Sequence, residues 1–322
     1  MSYADQVFKQ MCSDIIYNGC DTKGELVRPI WTDTGEKAYT IKKFGVVNRY
    51  DLRKEFPAIT LRKTAIKSAF DEILWIWQKH SNNVNDLNSH IWDEWADEKG
   101  SIGKAYGYQI GKKYSHHKFK LDEENKCRMT QEIKEFDDSG FDYKFEERFL
   151  DNGEHWVYVY LNQIDAVIYD LRHNPYSRRI LTNMYDLQDL HEMNLYPCAY
   201  SMTFNVTKDD KNQLILNAVL NQRSQDVLAA NNWNVVQYSL LLMMVAQCCN
   251  MVAGELVHVT ADCHIYDRHI PLIEELISRQ EYPAPKVWFD KSIKNFYEFH
   301  KNSLHVEDYE TGPQIKNIPI AV

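Results

Sequence analysis

The sequence predicts a single domain with an α/β fold of the α+β type. Stretches with apolar residues at helical spacing and stretches with period-two alternation both occur along the chain. The predicted strands form a hairpin, not the regular strand–helix–strand units of a parallel α/β protein. No internal repeat and no linker rich in Pro, Gly or Ser interrupts the 322 residues. One domain spanning residues 1–322 is therefore expected.

Two helices are predicted in the first half of the chain. Residues 64–78 carry apolar side chains at helical spacing, from Ala65 to Trp77. Residues 159–172 do the same. This second helix is expected to stop before Asn174-Pro175, because a proline disfavours helix in the residue before it.

A β-hairpin is predicted next. Residues 200–206 alternate apolar and polar side chains, which is the period of a half-buried strand. A polar run of turn-forming residues follows at 208–212. Residues 213–222 alternate again and form the return strand.

The last predicted elements begin with an almost wholly apolar helix over residues 234–252. A helix that is apolar on every side is buried, so this one is expected to be central, with Gly254 as its C-cap residue. A strand at 256–260 and a helix at 270–279 follow.

A charged segment near residues 116–150 is the nearest thing to a break in this pattern. Its most charged part, residues 121–150, has ten acidic and five basic residues. Charge runs of this kind are usually solvated. We expect a charged surface insertion within the one domain.

The charge balance limits the class of partner. The chain has 37 Lys and Arg against 46 Asp and Glu, a formal net charge of −9. A protein whose main role is to bind nucleic acid needs a basic face, so nucleic acid is not expected as the primary partner. A few converging arginines still allow a small anionic ligand.

The cysteines and the apolar stretches indicate a cytoplasmic protein. Seven cysteines occur, an odd number, with no CxxC spacing and no apolar leader before them. A reducing compartment suits such a set. The most apolar stretch, residues 238–252, is too short to span a membrane.

Cys198 is a candidate nucleophile. It follows Pro197 and precedes a predicted strand. Nearby cations would lower the pKa of its thiol and make a strong, soft nucleophile. A buried cysteine acting as a small apolar side chain also fits the pattern, and the residues alone leave both possibilities open.

Arginines provide candidate anion ligands. Arg223 and Ser224 close the return strand in Gln222-Arg-Ser-Gln-Asp226, and an arginine fork with a hydroxyl can hold a phosphate. Arg178-Arg179 follow a Pro-Tyr-Ser turn, and Arg28 precedes a proline. Ordinary surface or loop positions remain the alternative for all of them.

Two further positions, Glu72 and Asn234, carry polar groups in apolar settings. Glu72 has Ala69, Trp75 and Ile76 as helical neighbours, so burial is expected to raise its pKa. Such a carboxyl suits proton transfer near neutral pH, or forms a structural ion pair. Asn234 opens the apolar helix, either as an N-cap or as a buried amide that reads a ligand.

His264 and Tyr266 follow the predicted strand and carry donors suited to a sugar hydroxyl. The usual motifs for a zinc site, a P-loop and a dinucleotide site are absent from the sequence. We therefore expect no metal and no nicotinamide.

Taken in order, several short segments resemble the thymidylate synthases, the folate-dependent family that methylates deoxyuridylate. The resemblance runs from about Arg28 to Val322. It is carried by Ile91-Trp-Asp-Glu-Trp95, Ser177-Arg-Arg179, Pro197-Cys198, Gln222-Arg-Ser-x-Asp226, Asn234, His264-x-Tyr266 and Lys316-Asn-Ile-Pro-Ile-Ala-Val322. Each segment is short, and their order and spacing make the joint match specific.

The resemblance implies a mixed, largely antiparallel central sheet flanked by helices, and a homodimer whose two sheets pack together. It implies a methyltransferase of deoxynucleotide biosynthesis that converts deoxyuridylate (dUMP) to thymidylate (dTMP). The cosubstrate 5,10-methylenetetrahydrofolate would donate both carbon and hydride and leave as dihydrofolate. No separate nicotinamide is needed for that chemistry.

The resemblance also implies roles in catalysis. Cys198 adds to C6 of the uracil ring. Asn234 hydrogen-bonds the amide edge of uracil, Glu72 organises water and proton transfers, and Tyr106 assists removal of the C5 proton.

Binding roles follow from the same resemblance. Substrate would be held by Arg28, Arg223, Ser224, Asp226, Asn234, His264 and Tyr266, with Arg178 and Arg179 reaching across from the partner subunit. Folate would be held by Trp92, Asp226, Arg62 and the C-terminal Val322.

The sequence departs from the family pattern at several places. Ala199 follows the nucleophile where many members have His, and residues 229–233 lack the usual Gly and Pro. Arg62 aligns with a customary Lys, and the Arg28 segment lacks the common Thr-Gly-Thr-Gly run. These features resemble a divergent branch found in some Gram-positive bacteria and their phages.

Two alternatives remain from the sequence. A pyrimidine deoxynucleotide hydroxymethylase of the same fold would trap water in place of hydride, although Asn234 favours uracil over cytosine. An RNA-binding regulatory protein is the other alternative, and the net charge of −9 argues against it.

Overall fold

The structure is a computed structural model that describes residues 1–123 and 125–321. Its α-helices are α1 (Tyr3–Asn18), α2 (Ile66–Trp77), α3 (Gly107–Gly111), α4 (Lys126–Ser139), α5 (Gln163–His173), α6 (Asn231–Cys248) and α7 (Ile270–Ser278). Its strands are β1 (Cys20–Asp21), β2 (Thr40–Asp51), β3 (Tyr114–Lys120), β4 (Tyr143–Phe149), β5 (His155–Leu161), β6 (Leu181–Asn183), β7 (Ala199–Lys208), β8 (Leu214–Asp226), β9 (Val252–Tyr266), β10 (Lys286–Phe289) and β11 (Leu304–Glu307).

A six-stranded mixed sheet is the centre of the fold. Its strand order is β1-β2-β9-β8-β7-β6. Only β8 and β9 pair in parallel, and the other neighbours are antiparallel. The expected mixed, largely antiparallel central sheet with flanking helices is confirmed. The parallel pair is joined by α6, so one strand–helix–strand unit occurs that the sequence analysis did not predict.

Helix α6 packs between the sheet and α2. Leu240, Leu241 and Leu242 occupy successive positions and are all fully buried, so every side of the helix contacts protein. Each such leucine contributes about 2 kcal/mol of burial free energy. The helix therefore holds β8, β9 and α2 in fixed positions relative to one another.

Helix α5 begins later than the sequence analysis expected. Residues 159–161 belong to β5, in which Val157, Val159 and Leu161 are buried and the intervening residues face outward. Beta-branched and aromatic residues in alternation favour a strand. The helix begins after Asn162, whose side chain accepts a hydrogen bond from the Asp165 backbone N–H.

The end of α6 was also wrongly predicted. The helix runs from Asn231 to Cys248, and residues from Val252 onward form β9. Gly254 is thus a strand residue, not a C-cap. A Cβ atom there would clash with the side chains of Asn217 and Ile215, so close packing against β8 requires glycine.

The charged segment near residues 116–150 is folded. Strands β3 and β4 flank β5 in a three-stranded sheet, and α4 lies between β3 and β4 in the chain. Phe119, Phe136 and Phe141 are buried there. The segment has charged outer positions and an aromatic interior.

In the described part of the chain, no helix has the length and apolar character needed to cross a membrane.

Candidate active site

Cys198 lies at the entrance to β7, the strand next to β8. Its backbone N–H donates to the phenol oxygen of Tyr106 at 3.2 Å, and its carbonyl accepts from the Arg223 N–H at 2.9 Å. The β7–β8 register shifts between Ala199 and Ser201, which is a bulge that redirects the strand beside the cysteine. The backbone of Cys198 is thus fixed from two sides.

The Arg223 guanidinium is the cation beside the thiol. Its Nη2 lies 3.5 Å from the Cys198 Sγ and donates to the Tyr196 carbonyl at 2.8 Å, and its Nε donates to the Pro197 carbonyl at 3.1 Å. Burial raises the pKa of the Cys198 thiol, and the Arg223 charge lowers it without cancelling the rise. In the single chain, therefore, one arginine alone does not stabilise the thiolate enough to lower the pKa. Ser224 follows on β8 and is half-buried.

Tyr106 has an unusual backbone conformation. Its φ is 44° and its ψ −99°, a region that non-glycine residues rarely adopt, and it directly precedes α3. The ring is buried and contacts Trp92 edge-on, with centroids 4.9 Å apart. Burial raises the pKa of Tyr106 well above its usual value. The phenol therefore keeps its proton and can donate it towards a ligand.

Glu72 is a buried carboxyl on α2, as its apolar neighbours predicted. Its Oε2 accepts a hydrogen bond from the Trp233 indole N–H at 2.9 Å. Burial raises the pKa of Glu72, and hydrogen bonds from neighbouring side chains, Trp233 among them, oppose that rise. A carboxyl of this kind is closer to proton exchange at neutral pH than an exposed one.

Asn234 lies in the first turn of α6. The N-cap position is occupied by Ala230, so Asn234 is not the N-cap residue. Its Oδ1 accepts from Gln222 Nε2 at 3.2 Å, and its Nδ2 donates to Gln237 Oε1 at 3.1 Å. These contacts fix which end of the Asn234 amide is the acceptor and which is the donor.

A buried histidine extends that network. His258 Nε2 lies 2.8 Å from Gln222 Oε1, and burial lowers the pKa of His258 to about 4. A neutral imidazole donating to Gln222 fits both observations. His258 was not predicted as a site residue. Its position between Val257 and Val259, on a strand with period-two alternation, is the sequence feature that could have indicated it.

His264 and Tyr266 lie within β9, not after a strand as predicted, because β9 continues to Tyr266. The ring of His264 lies edge-on to Tyr266 at 5.1 Å, and its Nδ1 is 2.9 Å from Asp262 Oδ1. Burial raises the pKa of Tyr266 to about 12. Asp226 is the register partner of His264, so the ends of β8 and β9 bring these groups together.

The Asp226 carboxylate is strongly fixed. Its Oδ1 accepts from the backbone N–H groups of Leu228 and Ala229 at 2.9 and 3.1 Å and lies 3.5 Å from His269 Nδ1. Burial would raise the pKa of Asp226, but its contact with His269 and the other donors lower it overall. Arg62 also lies near Asp226, and its Nη2 donates to the Leu228 carbonyl.

Three of the predicted arginines are separate from this cluster within the chain. Arg178 and Arg179 are exposed in the connection between α5 and β6, and Arg28 is exposed near Tyr266. Among the residues that the structure describes, only Arg223 has a charge that acts on the Cys198 thiol.

The C-terminal segment packs beside Tyr266. Ala321 pairs with Trp31 and contacts the small buried cluster of Trp31, Ala38 and Tyr266. His269, a residue that the sequence analysis missed, lies 2.8 Å from the Pro319 carbonyl. Val322, predicted to close over folate, lies outside the described residues. Within residues 1–123 and 125–321, no group of three or more potential metal ligands converges.

Comparisons with known proteins agree with this geometry. A family model described as thymidylate synthase matches residues 6–322. The chain is 35% identical to the thymidylate synthase of Bacillus licheniformis over 318 residues, which is 98% of each protein. It is 33% identical over the same length to the thymidylate synthase of Bacillus phage phi3T. The solved structure of thermostable thymidylate synthase A from Bacillus subtilis superposes with a TM-score of 0.79 over 100% of both chains, at 32% identity.

These matches define an enzyme of the methyltransferase class, and they agree with the expected Gram-positive and phage branch. The chain belongs to the thymidylate synthase family. Neither alternative, the hydroxymethylase or the RNA-binding regulator, is favoured by its relatives.

Proposed function

We propose that this chain makes dTMP from dUMP with Cys198 as the covalent nucleophile and 5,10-methylenetetrahydrofolate as cosubstrate. The observation that carries the proposal is the contact between Cys198 and Arg223, with Asn234 held in a single orientation on the neighbouring helix. The bound folate supplies the one-carbon unit and the hydride and leaves as dihydrofolate.

The first step is addition of the Cys198 sulfur to C6 of the uracil ring. Addition places negative charge on the O4–C4–C5 part of the ring. The Asn234 Nδ2 donates to O4 and its Oδ1 accepts from the uracil N3–H. Because Gln222 and Gln237 already fix that orientation, the hydrogen bond to the developing charge needs no rearrangement.

Two buried groups, Glu72 and Tyr106, carry out the proton transfers. Glu72 has a raised pKa and exchanges protons through water near the ring. Tyr106 contacts the Cys198 backbone and keeps its phenol proton, so it directs the water that takes the C5 proton.

The phosphate of dUMP binds to Arg223, Ser224 and Arg28, with Arg178 and Arg179 of the partner subunit. Within one chain Arg178 and Arg179 are exposed, and the described residues offer their side chains no hydrogen-bond or ion-pair partner. Added positive charge would also lower the pKa of the Cys198 thiol beyond what Arg223 does alone. Substrate phosphate balances part of that charge.

A homodimer packed through the central sheet supplies those arginines. On β8 and β9 the side chains that face α6, such as Leu220 and Leu256, are fully buried. The alternate residues Val219, Val257 and Val259 remain partly exposed. A partly exposed sheet face that carries valines among polar side chains suits an isologous interface.

His264 and Tyr266 hold the deoxyribose 3′-hydroxyl. The ionised Asp226 suits the N–H groups of a pterin, and its lowered pKa keeps it an acceptor. Trp92 and Arg62 line the folate pocket, and Val322, which lies outside the described residues, is proposed from the family resemblance to close over it. These side chains supply the polar and aromatic contacts that a folate cosubstrate needs.

The chain works as one domain in the cytoplasm. Its largest buried apolar cluster draws residues from Phe56 to Leu304, so the segment near 116–150 shares a core with the rest. The seven cysteines are all free thiols, which suits a reducing compartment.

The proposal is tested by incubating the purified chain with dUMP and 5,10-methylenetetrahydrofolate. Dihydrofolate absorbance and dTMP should appear in equal amounts. The Cys198→Ala variant, mixed in the same way, is the matched control. A hydroxymethyl nucleotide without dihydrofolate would replace this proposal with the hydroxymethylase.

A further inference from the structure

His269 joins three segments that the chain brings together only in the folded state. It follows β9 and occupies the N-cap position of α7, where it is 1% exposed. Its Nε2 lies 2.8 Å from the carbonyl oxygen of Pro319 in the C-terminal segment, and its Nδ1 lies 3.5 Å from Asp226 Oδ1 at the end of β8. The ring also packs edge-on against Trp31 at 5.6 Å and Tyr266 at 5.5 Å.

Both ring nitrogens of His269 face atoms that only accept hydrogen bonds. The Pro319 carbonyl and the Asp226 carboxylate offer no proton. Nε2 donates to the carbonyl, and Nδ1 lies within ion-pair distance of the carboxylate without a hydrogen bond, so a protonated, positively charged imidazole suits both partners. The Asp226 carboxylate raises the pKa of His269 against the opposing effect of burial. The same pair contributes to the lowered pKa of Asp226. Each group therefore stabilises the charged form of the other.

The groups around His269 agree with a positive charge there. Asp226 at the end of β8 contacts His269, and Asp267 and Arg268 precede it in the chain. Asp226 is in turn close to Arg62 and His264, and Tyr266 packs on the His269 ring. Asp33 and Glu36 pair with Arg268. Among these carboxylates, that of Asp226 raises the pKa of His269 more than that of Asp267 does.

The Pro319 contact belongs to a docked C-terminal segment. The Ile320 carbonyl accepts a hydrogen bond from the Thr32 backbone N–H at 3.0 Å, and Ala321 pairs with Trp31. Since Trp31 also packs on the His269 ring, the imidazole supports the segment from two directions. No other side chain of the described residues donates to the Pro319 carbonyl.

We infer that His269 is a positioning residue that couples the docking of the C-terminal segment to the orientation of the Asp226 carboxylate. The inference rests on the proposed function only for the role given to Asp226. When the imidazole is protonated, it donates to the Pro319 carbonyl and attracts the Asp226 carboxylate, so the docked segment and the oriented carboxylate favour one another. When it loses a proton, a nitrogen lone pair must face an acceptor, and one of the two contacts weakens.

Two amide substitutions separate the two contacts. In His269→Gln the amide nitrogen lies near the position of Nε2 and keeps the bond to Pro319. In His269→Asn it lies near the position of Nδ1 and keeps the contact with Asp226. His305→Gln is the matched control, because His305 pairs with Asp290 on the partly exposed strand β11.

The first readout needs no substrate. Lys316 is exposed, and trypsin cleavage after it releases residues 317–322, which mass spectrometry detects. We expect His269→Asn to speed that release about tenfold, and His269→Gln and His305→Gln to stay within about twofold of the parent. Equal release from His269→Asn and the parent, or faster release from His305→Gln, would overturn the inference.

The second readout is the split of kinetic constants. Both substitutions at His269 remove the coupling, so both should raise the KM for the folate about tenfold and leave the KM for dUMP within about twofold. A uniform fall in kcat with unchanged KM values would mean that His269 only supports the fold. If the unsubstituted chain makes no product, the proposed function fails, while tail release still tests the inference.

A measurement on the unsubstituted chain covers the case in which a variant does not fold. Hydrogen exchange of the peptide that contains Thr32 reports on docking, because the Thr32 N–H is bonded to Ile320. After correction for intrinsic rates, its protection should fall as pH rises through the raised pKa of His269. Protection that does not change between pH 6 and about 9 would contradict the inference.

Discussion

The phenol oxygen of Tyr106 accepts a hydrogen bond from the backbone N–H of Cys198 at 3.2 Å. The tyrosine that the family resemblance assigned to proton removal therefore also anchors the nucleophile's backbone. Its rare φ of 44° is the local cost of placing the phenol there. The observed anchoring of the Cys198 backbone and the proposed role in proton transfer therefore fall on one side chain.

Tyr106→Phe tests that link. The substitution removes the acceptor of the Cys198 N–H and the phenol proton while keeping the buried ring against Trp92. We expect kcat to fall by about 10²-fold, with the KM for dUMP changed much less. Tyr108→Phe, on a partly exposed ring of the same helix, is the control and should retain activity. Normal turnover in Tyr106→Phe would remove Tyr106 from the mechanism.

Cys198→Ser tests the nucleophile. A serine hydroxyl has almost no alkoxide at neutral pH, and a single arginine does not change that. We expect activity to fall at least about 10³-fold and the covalent complex with 5-fluorodeoxyuridylate and folate to disappear. Mass spectrometry of the denatured protein measures the adduct. Cys127→Ser, an exposed thiol on α4, is the control. An adduct of unchanged yield in Cys198→Ser would identify another nucleophile.

Subunit mixing tests the shared site. Chains with Arg178→Ala carry an intact Cys198, and chains with Cys198→Ala carry an intact Arg178. A heterodimer of the two has one complete site, so an equal random mixture should recover about a quarter of the parent activity. Native mass spectrometry confirms heterodimer formation. Heterodimers without activity would mean that each site draws its arginines from its own chain.

The fold was predictable where one pattern matched one element. Helix α2 lies within the expected 64–78, and α7 within the expected 270–279. Errors arose where an apolar run crossed an element boundary. Residues 159–161 suit a strand and a helix equally, and the run that ends at residue 252 passes from α6 through a turn into β9. Tertiary pairing decided those cases, and local sequence does not encode it.

The site was predictable in its residue types and less so in its contacts. Cys198 and Arg223 are 25 positions apart and meet only because β7 and β8 pair with a bulge at Ala199. His258 reaches Gln222 through the parallel pairing of β8 with β9. No spacing of residues along the chain predicts such a contact. The family resemblance supplied the roles, and the strand register explains how the residues meet.

Asp165 makes the stability of the fold depend on pH. This buried carboxylate accepts bonds from the Tyr297 hydroxyl at 2.7 Å and the Asp142 N–H at 2.9 Å, and so ties α5 to the segment around Tyr297. Burial raises the pKa of Asp165 to about 7 in spite of these donors. In the unfolded chain its pKa returns to about 4.

The sign of the effect follows from proton binding. Between pH 4 and about 7 the native state holds a proton on Asp165 that the unfolded state has lost, so the Asp165 contribution to the free energy of unfolding falls as pH rises. The slope is at most about 1.4 kcal/mol per pH unit. Asp165→Asn removes this titration, and the new amide also disturbs one of the donor contacts. The substitution should therefore destabilise the fold, and the loss in free energy of unfolding should shrink as pH rises from 4.5 to about 7.5. Urea unfolding at each pH measures it. The surface pair of Asp137 and Tyr143 provides the control, Asp137→Asn, measured at the same pH values. A cost of Asp165→Asn that grows with pH would mean that Asp165 is ionised in the native state throughout this range.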